Sequence, residues 1–267
     1  MDMAVVIPVA DDIRLQDCLD SIKEDVEVVI SMNGPTEQIK EITRKSGRRY
    51  CELPDRNLGA ALDEGIKTAK SERVLLMDSD CVFDPGTINL LFHGLDDHML
   101  AKGRVVFERT GYVSNLVAKA REYTTSDRVS AYKPPLAMRK SIADRMGGYF
   151  YDRDIHWVED SEFDSRVRRF GIPINYLPEA TIRHPPLTFF TDLRSAFRYG
   201  IGKRIGVEKG LMKGVGNFFC DEFKIGESKG VDAAFYMLAW NTSYTAGWLS
   251  QLMFDVYDVR DKIKTDK

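Results

Sequence analysis

The chain has 267 residues, 43% of them hydrophobic, which is enough to build a core for one large α/β domain or two smaller ones. Its 38 basic and 41 acidic residues leave a formal net charge of -3, so no global basic field exists for gripping nucleic acid. The four cysteines, Cys18, Cys51, Cys81 and Cys220, lack paired CxxC spacing, which argues against a zinc site or disulfide framework and for reduced thiols.

From Met1 the chain runs directly into the strand-like AVVIPV, with no basic n-region and no small-residue cleavage site, so a cytoplasmic location is expected. Strand and helix then alternate: a strand at Ala4–Val9, a helix at Leu15–Ile22, a strand at Val26–Met32, and a helix at Glu37–Ser46. A short extended run at Arg49–Leu53, a helix at Gly59–Ala69 and an apolar strand at Val74–Met77 follow. This alternation predicts a mostly parallel sheet covered by helices on both faces.

The predicted strands end in polar turns: Pro8 with Asp11 and Asp12, Asn33 with Gly34, and Arg56 with Asn57. All would lie at one edge of a parallel sheet, where ligands of open α/β sheets bind, although such residues are also ordinary turn formers. The fourth strand runs into Asp78, Ser79 and Asp80 at the same edge. One carboxylate there could reach a ribose hydroxyl while the other coordinates a divalent cation through oxygen; a solvated turn is the plainer alternative.

Glu159 and Asp160 precede a predicted helix in which Phe163, Val167 and Phe170 share one face. Gly171 and Pro173 stop it, and two extended runs, Ile174–Leu177 and Thr181–Arg183, lead to His184. Acids at a helix start also simply complement the helix dipole. Beyond His184, Arg194, Arg198, Lys203, Arg204, Lys209 and Lys213 punctuate the glycine-bearing FRYGIGKRIGVEKGLMKGVG, readable as a mobile cationic flap, a solvated basic face or a patch for anionic lipid. The aromatic-rich segment Val231–Tyr257 reads as one or two helices, interrupted by Asn241, Thr242, Ser243 and Gln251 and therefore unable to span a bilayer. Such helices pack on their own domain, on a second subunit to make a homodimer, or against the inner membrane face as a peripheral contact.

The opening VVIPV with CLDSI, the segment RNLGAALDEGIKTAKSERVLLMDSD and the block VEDSEFDSRVRRFGIPINYLPEATIRH together resemble, in order, the motifs of glycosyltransferase family 2. The resemblance covers roughly residues 5–204. It implies a GT-A fold with a helical C-terminal extension: a catalytic domain at 1–186, its donor half at about 1–100 and acceptor half at about 101–186, then an extension at 187–267 on the same domain. It further implies inverting transfer of a sugar from a nucleotide-sugar donor, UDP-linked by preference, to an acceptor hydroxyl on a glycan, lipid-linked or small molecule.

Carried over by position, the resemblance gives Pro8, Val9, Asp11, Asp12 and Asn33 to the donor nucleoside, together with Asn57, Gly59, Asp78 and Ser79. Asp80, with Asp78 and His184, is implied to hold Mn²⁺ or Mg²⁺. Asp160 would be the general base, with Glu159 beside it, and Arg198 and Lys203 would close over the diphosphate. SMNGPT lacks the acidic residue many relatives carry after the second strand. A sugar nucleotidylyltransferase would be expected to carry a glycine-rich basic loop after the first strand, whereas PVADDIRLQD is acidic. A noncatalytic nucleotide-sugar-binding protein would not need Asp160.

Overall fold

Seven consecutive apolar residues make Met3–Val9 (β1) a strand buried along its whole length. A computed structural model describes residues 2–127, 129–214 and 219–265, with backbone alone at 219–222 and 252–265. On either side of β1 lie β2 (Glu27–Asn33) and β4 (Arg73–Leu76), both parallel to it, and β3 (Arg49–Leu53) extends the parallel set on β2. Beyond β4 comes β7 (Leu136–Arg139), antiparallel to both β4 and β6 (Leu100–Phe107). The remaining strands are β8 (Ile174–His184), parallel to β6, and the short β5 (Val82–Phe83), antiparallel to β8. The eight strands run β3-β2-β1-β4-β7-β6-β8-β5.

The first three helices, α1 (Leu15–Ser21), α2 (Glu37–Ser46) and α3 (Leu58–Thr68), follow the predicted order closely. The side chain of Thr36 caps α2 and Gly47 ends it at φ 63°, in the left-handed region that glycine enters without a Cβ clash. Leu62 and Ile66 of α3, with Phe163 and Val167 of α7 (Glu159–Arg169), share a core with Val6, Val29, Val74, Leu76, Leu100 and Met138 of the strands. Phe170 departs from the predicted face and is 46% exposed, because it caps α7 with non-helical ψ and Gly171 then turns the chain at φ 62°.

The two extended runs predicted before His184 are one strand, β8, whose pairing with β6 shifts register between Lys102 and Arg104. Gly103 sits at that irregularity, and a Cβ there would collide with the Ala180 carbonyl. The chain divides into two compact units, Met1–Glu108 with Thr124–Pro186, and Arg109–Tyr123 with Leu187–Lys267. Residues 109–123, which the sequence groups with the acceptor half, thus join the C-terminal helices. The reason is packing: Val117 and Ala120 of α5 (Tyr112–Glu122) bury against Ile225, Ala233, Tyr236 and Met237.

That second unit contains α5, α8 (Phe189–Glu208), α9 (Phe219–Lys229) and α10 (Val231–Thr265). The mobile flap expected at 197–216 is corrected over most of its length, since 189–208 form one twenty-residue helix. Its Gly200 serves close packing against the backbone of Tyr244 and Trp248 on α10, whose Gly247 in turn meets Phe197. Arg198 is exposed on this helix, and Lys203 is half-buried with its pKa lowered by desolvation. Residues 215–216 of that segment and the side chain of Cys220 lie outside the described residues, as do side chains of the aromatic segment from 252 onward. Among the described residues no helix is long and apolar enough to cross a membrane.

Candidate active site

Because β1 to β4 are mutually parallel, their carboxyl ends bring Asp12, Asn33, Asn57 and Asp78 to one edge of the sheet. Several of these side chains are already committed within the chain. The Asn33 amide oxygen accepts from Asn57 N–H at 2.5 Å, and the Asn57 oxygen caps α3 by accepting from Ala60 N–H at 2.9 Å. The Asn57 amide nitrogen donates to the Arg153 carbonyl at 2.6 Å. A Cβ on Gly59 would lie 2.5 Å from the Asp152 carbonyl. Asn57 and Gly59 thus also hold the 152–155 loop on the start of α3.

Pro8 and Val9 are buried in β1, and Ser79 is nearly so. Asp11 pairs with Arg56 at 2.7 Å in an exposed setting. Asp12 is clamped by Arg14, which donates from its backbone at 3.0 Å and from Nε at 2.8 Å; these hydrogen bonds hold the Asp12 pKa below its usual value against partial burial. Arg14 also reaches Asp80 Oδ2 at 3.5 Å.

Asp80, Cys81 and His184 form a group whose potential ligand atoms lie within 4.8 Å of one another. His184 Nδ1 is 2.7 Å from the Pro185 carbonyl, which can only accept, so in the neutral ring Nδ1 carries the proton and Nε2 presents a lone pair. That lone pair faces Asp80 Oδ2 across 3.6 Å. Two acceptors so placed call for a cation or a proton between them, and an imidazole donating its second N–H to a carbonyl is the usual outer support of a metal ligand. The ring is also held by Phe107, with centroids 4.8 Å apart. The donor set of carboxylate plus imidazole suits Mn²⁺ or Mg²⁺. Buried Cys81 sits 3.4 Å from Asp80 Oδ1; desolvation and the neighbouring carboxylates raise its pKa, so it remains a thiol that donates to Asp80.

Asp78 is not a member of that group. Its Oδ1 accepts from Lys133 Nζ at 2.8 Å, and the Lys133 side chain is only 5% exposed. Glu159 and Asp160 lie in the first turn of α7, and each has a buried oxygen, Glu159 Oε2 and Asp160 Oδ1, with no hydrogen-bond partner among the described residues. Asp160 nevertheless keeps a partly open edge. Desolvation pushes its pKa up to about 8, with Glu159 and Asp78 adding to the rise and Lys133 and Lys102 opposing it. Burial likewise raises Glu159. Desolvation, more than like charge between the two acids, thus sets the basicity of the pair.

Four contributors escape sequence reasoning: Arg14, Lys102, Lys133 and Tyr151. Fully buried Lys102 donates to the Pro134 carbonyl at 3.0 Å, and burial lowers its pKa to about 7. Tyr151 is buried with its hydroxyl unpartnered, and Asp160 contributes to raising its pKa after desolvation. The signal available for Lys133 was its place in YKPP, a lysine before two prolines in a stretch without a readable motif. Lys102 offers none, since a lysine in an alternating strand reads as solvent-facing.

An open α/β sheet with a carboxylate–imidazole group and a buried acid pair at one edge defines the class of nucleotide-sugar transferase folds. Residues 5–157, more than half of the chain, match Glycosyl transferase family 2, and the chain belongs to that family. S. aureus TarS residues 1–349, solved with UDP-GlcNAc, has 16% identity and a TM-score of 0.56, covering 74% of this chain and 66% of its own. In a second TarS 1–349 structure the shares are 74% and 65%, so the chain spans about two thirds of that relative's length. Mannosyltransferase PcManGT from Pyrobaculum calidifontis, solved with GDP-Man and Mn²⁺, has 15% identity and a TM-score of 0.61, covering 91% of this chain and 73% of its own. These likenesses establish the GT-A fold with its curled, mostly parallel sheet. No curated protein matches the chain in sequence.

Proposed function

We propose that this chain transfers a sugar from a nucleoside diphosphate carrier to an acceptor hydroxyl with inversion, in a reaction that depends on a divalent metal. The observation that carries this reading is the Asp160 carboxyl, desolvated, short of hydrogen bonds and pushed up to about 8 at the sheet edge where Asp80 meets His184. A carboxylate of that basicity is matched to removing a hydroxyl proton as attack proceeds. Asp160 takes the acceptor proton while the acceptor oxygen bonds to the anomeric carbon. The bond from that carbon to the diphosphate breaks on the opposite face, and the nucleoside diphosphate leaves. Asp80 and His184 Nε2 would hold the cation, Mn²⁺ or Mg²⁺, whose charge offsets that of the departing diphosphate.

Uridine is the base we assign to the donor. Asn33 Oδ1 accepts from Asn57 N–H, and its amide nitrogen can donate to a uracil carbonyl. TarS was solved with a UDP-sugar and PcManGT with a GDP-sugar, so relatives of this fold take either base.

The test is a panel of UDP- and GDP-sugars with Mn²⁺ or Mg²⁺, followed by NMR for released nucleoside diphosphate and for the anomeric configuration of the product. Inverted product from a UDP-sugar is expected, and retained configuration would sink the single displacement. An Asp160→Asn protein that transfers sugar at the normal rate would overturn the assignment of Asp160 as the base.

A further inference from the structure

Cysteine spacing along the chain argues against zinc, yet the fold gathers three unlike donors from two distant segments. β5 pairs antiparallel with β8, Val82 facing Arg183 and Phe83 facing Ile182, so the same register carried one residue further sets Cys81 across from His184. Asp80 spans that pair. Its Oδ1 is 3.4 Å from Cys81 Sγ, and its Oδ2 is 3.6 Å from His184 Nε2. With bonds of about 2.0–2.3 Å, donor atoms on one tetrahedral Zn²⁺ stand roughly 3.3–3.6 Å apart. Both separations already match, and a donor atom from each of the three residues lies within 4.8 Å of the other two. Cys81 is fully buried, whereas the side chains of Asp80 and His184 are 22% and 16% exposed, so a cation enters past these two and meets the sulfur last. Arg14 reaches Asp80 Oδ2 only at 3.5 Å and is bound mainly by Asp12, at 2.8 Å from Nε, so it yields that oxygen to a divalent ion.

We propose that Asp80, Cys81 and His184 form a three-ligand site for a thiophilic divalent cation of the Zn²⁺ and Cd²⁺ class, bound through the Cys81 sulfur. As the metal–sulfur bond forms, the thiol proton leaves to water, and a water molecule completes the fourth position. Mn²⁺ and Mg²⁺ favour oxygen ligands and gain little from the sulfur, so Cys81 is the residue that separates the two classes of cation. Because Asp80 and His184 are also the ligands assigned to Mn²⁺ or Mg²⁺, Zn²⁺ bound here displaces the metal that serves the departing diphosphate and inhibits transfer. That consequence rests on the transfer reading given above; the binding itself does not.

The test adds Cd²⁺ to the metal-free full chain and follows the ultraviolet charge-transfer band of a thiolate bound to the metal, with Zn²⁺ and Mn²⁺ affinities measured by calorimetry. The parent is expected to give the band. Cys81→Ser is expected to lose it and to weaken Zn²⁺ about tenfold or more, with a much smaller change for Mn²⁺. No band in the parent, or an undiminished band in folded Cys81→Ser, overturns the proposal, as does an equal loss of Zn²⁺ and Mn²⁺ affinity. Should Cys81→Ser fail to fold, a chain that keeps Cys81 as its single cysteine, through Cys18→Ala, Cys51→Ser and Cys220→Ser, decides by whether the band appears. In transfer assays supported by Mn²⁺, Zn²⁺ is expected to inhibit the parent, and about tenfold more Zn²⁺ to be needed against Cys81→Ser. Transfer untouched by bound Zn²⁺ overturns the displacement. If the parent transfers no sugar, the functional reading fails while the Cd²⁺ band still decides the site.

Discussion

Each unit places an aspartate in the first turn of a helix, Asp160 on α7 and Asp192 on α8, and the two have opposite surroundings. Asp192 is 2% exposed and satisfied: the Tyr236 hydroxyl donates to it at 2.5 Å and Arg121 lies 3.5 Å away. Asp160 is also desolvated, yet one oxygen has no partner among the described residues, and Lys133, the cation that acts on it most strongly, is engaged with Asp78. Burial and helix position are common to both. What separates a structural acid from a chemical one is whether the fold completes its hydrogen bonds, since an incomplete set leaves the carboxylate basic and free to take a proton.

Asp160→Asn is the sharpest way to break the comparison, with transfer expected to fall about 10²–10⁴-fold while donor affinity, measured by calorimetry, holds. The same change is expected to stabilise the fold at high pH. A folded pKa raised from 3.8 to about 8 means stability is full below the unfolded value and declines as pH rises through the folded one. Above pH 8 the asparagine protein should therefore melt a few degrees higher than the parent, and a lower melting point would contradict the burial argument.

Asp192→Ala tests the other member. Removing one partner of a buried charge pair costs about 3–5 kcal/mol, read as a lower urea midpoint, with kcat unchanged where the protein remains folded. His184→Ala is next in size: Mn²⁺ affinity by calorimetry is expected to weaken about tenfold or more, with the Asp160 carboxyl midpoint unmoved in metal-free protein. The smallest effect belongs to Phe235→Ser on α10, whose side chain is 69% exposed. Stability and transfer to a soluble acceptor should stay within about 0.5 kcal/mol. A change in vesicle pelleting or gel-filtration volume would then reveal a membrane or dimer contact for the exposed residues Val231, Phe235, Leu238 and Leu249.

Much of this was legible in the chain. The bounds of α2 and β3 coincide with their predicted spans, β1 differs by a residue at one end, and β2 and α3 are displaced by one residue, because apolar period and turn chemistry are local properties. The family resemblance implied that His184 returns to Asp80, and the two lie 3.6 Å apart. The helical form of the basic segment was not legible for a physical reason: its glycines read as mobility, whereas Gly200 on α8 and Gly247 on α10 admit close approach of the two helices.

By itself the sequence determined the alternation of strand and helix, the sheet edge that gathers Asp12, Asn33 and Asp78, and the identity of the acid pair. Those depend on short-range patterns that each segment carries within itself. Tertiary structure alone decided that Asn57 and Gly59 secure a neighbouring loop, that Asp78 belongs to Lys133, and that Lys102 is buried rather than solvated. Desolvation and charge pairing depend on residues distant in the chain. The basicity of Asp160 is therefore set first by its desolvation, and then adjusted by charges such as Lys133, Asp78 and Lys102 that arrive from other parts of the fold.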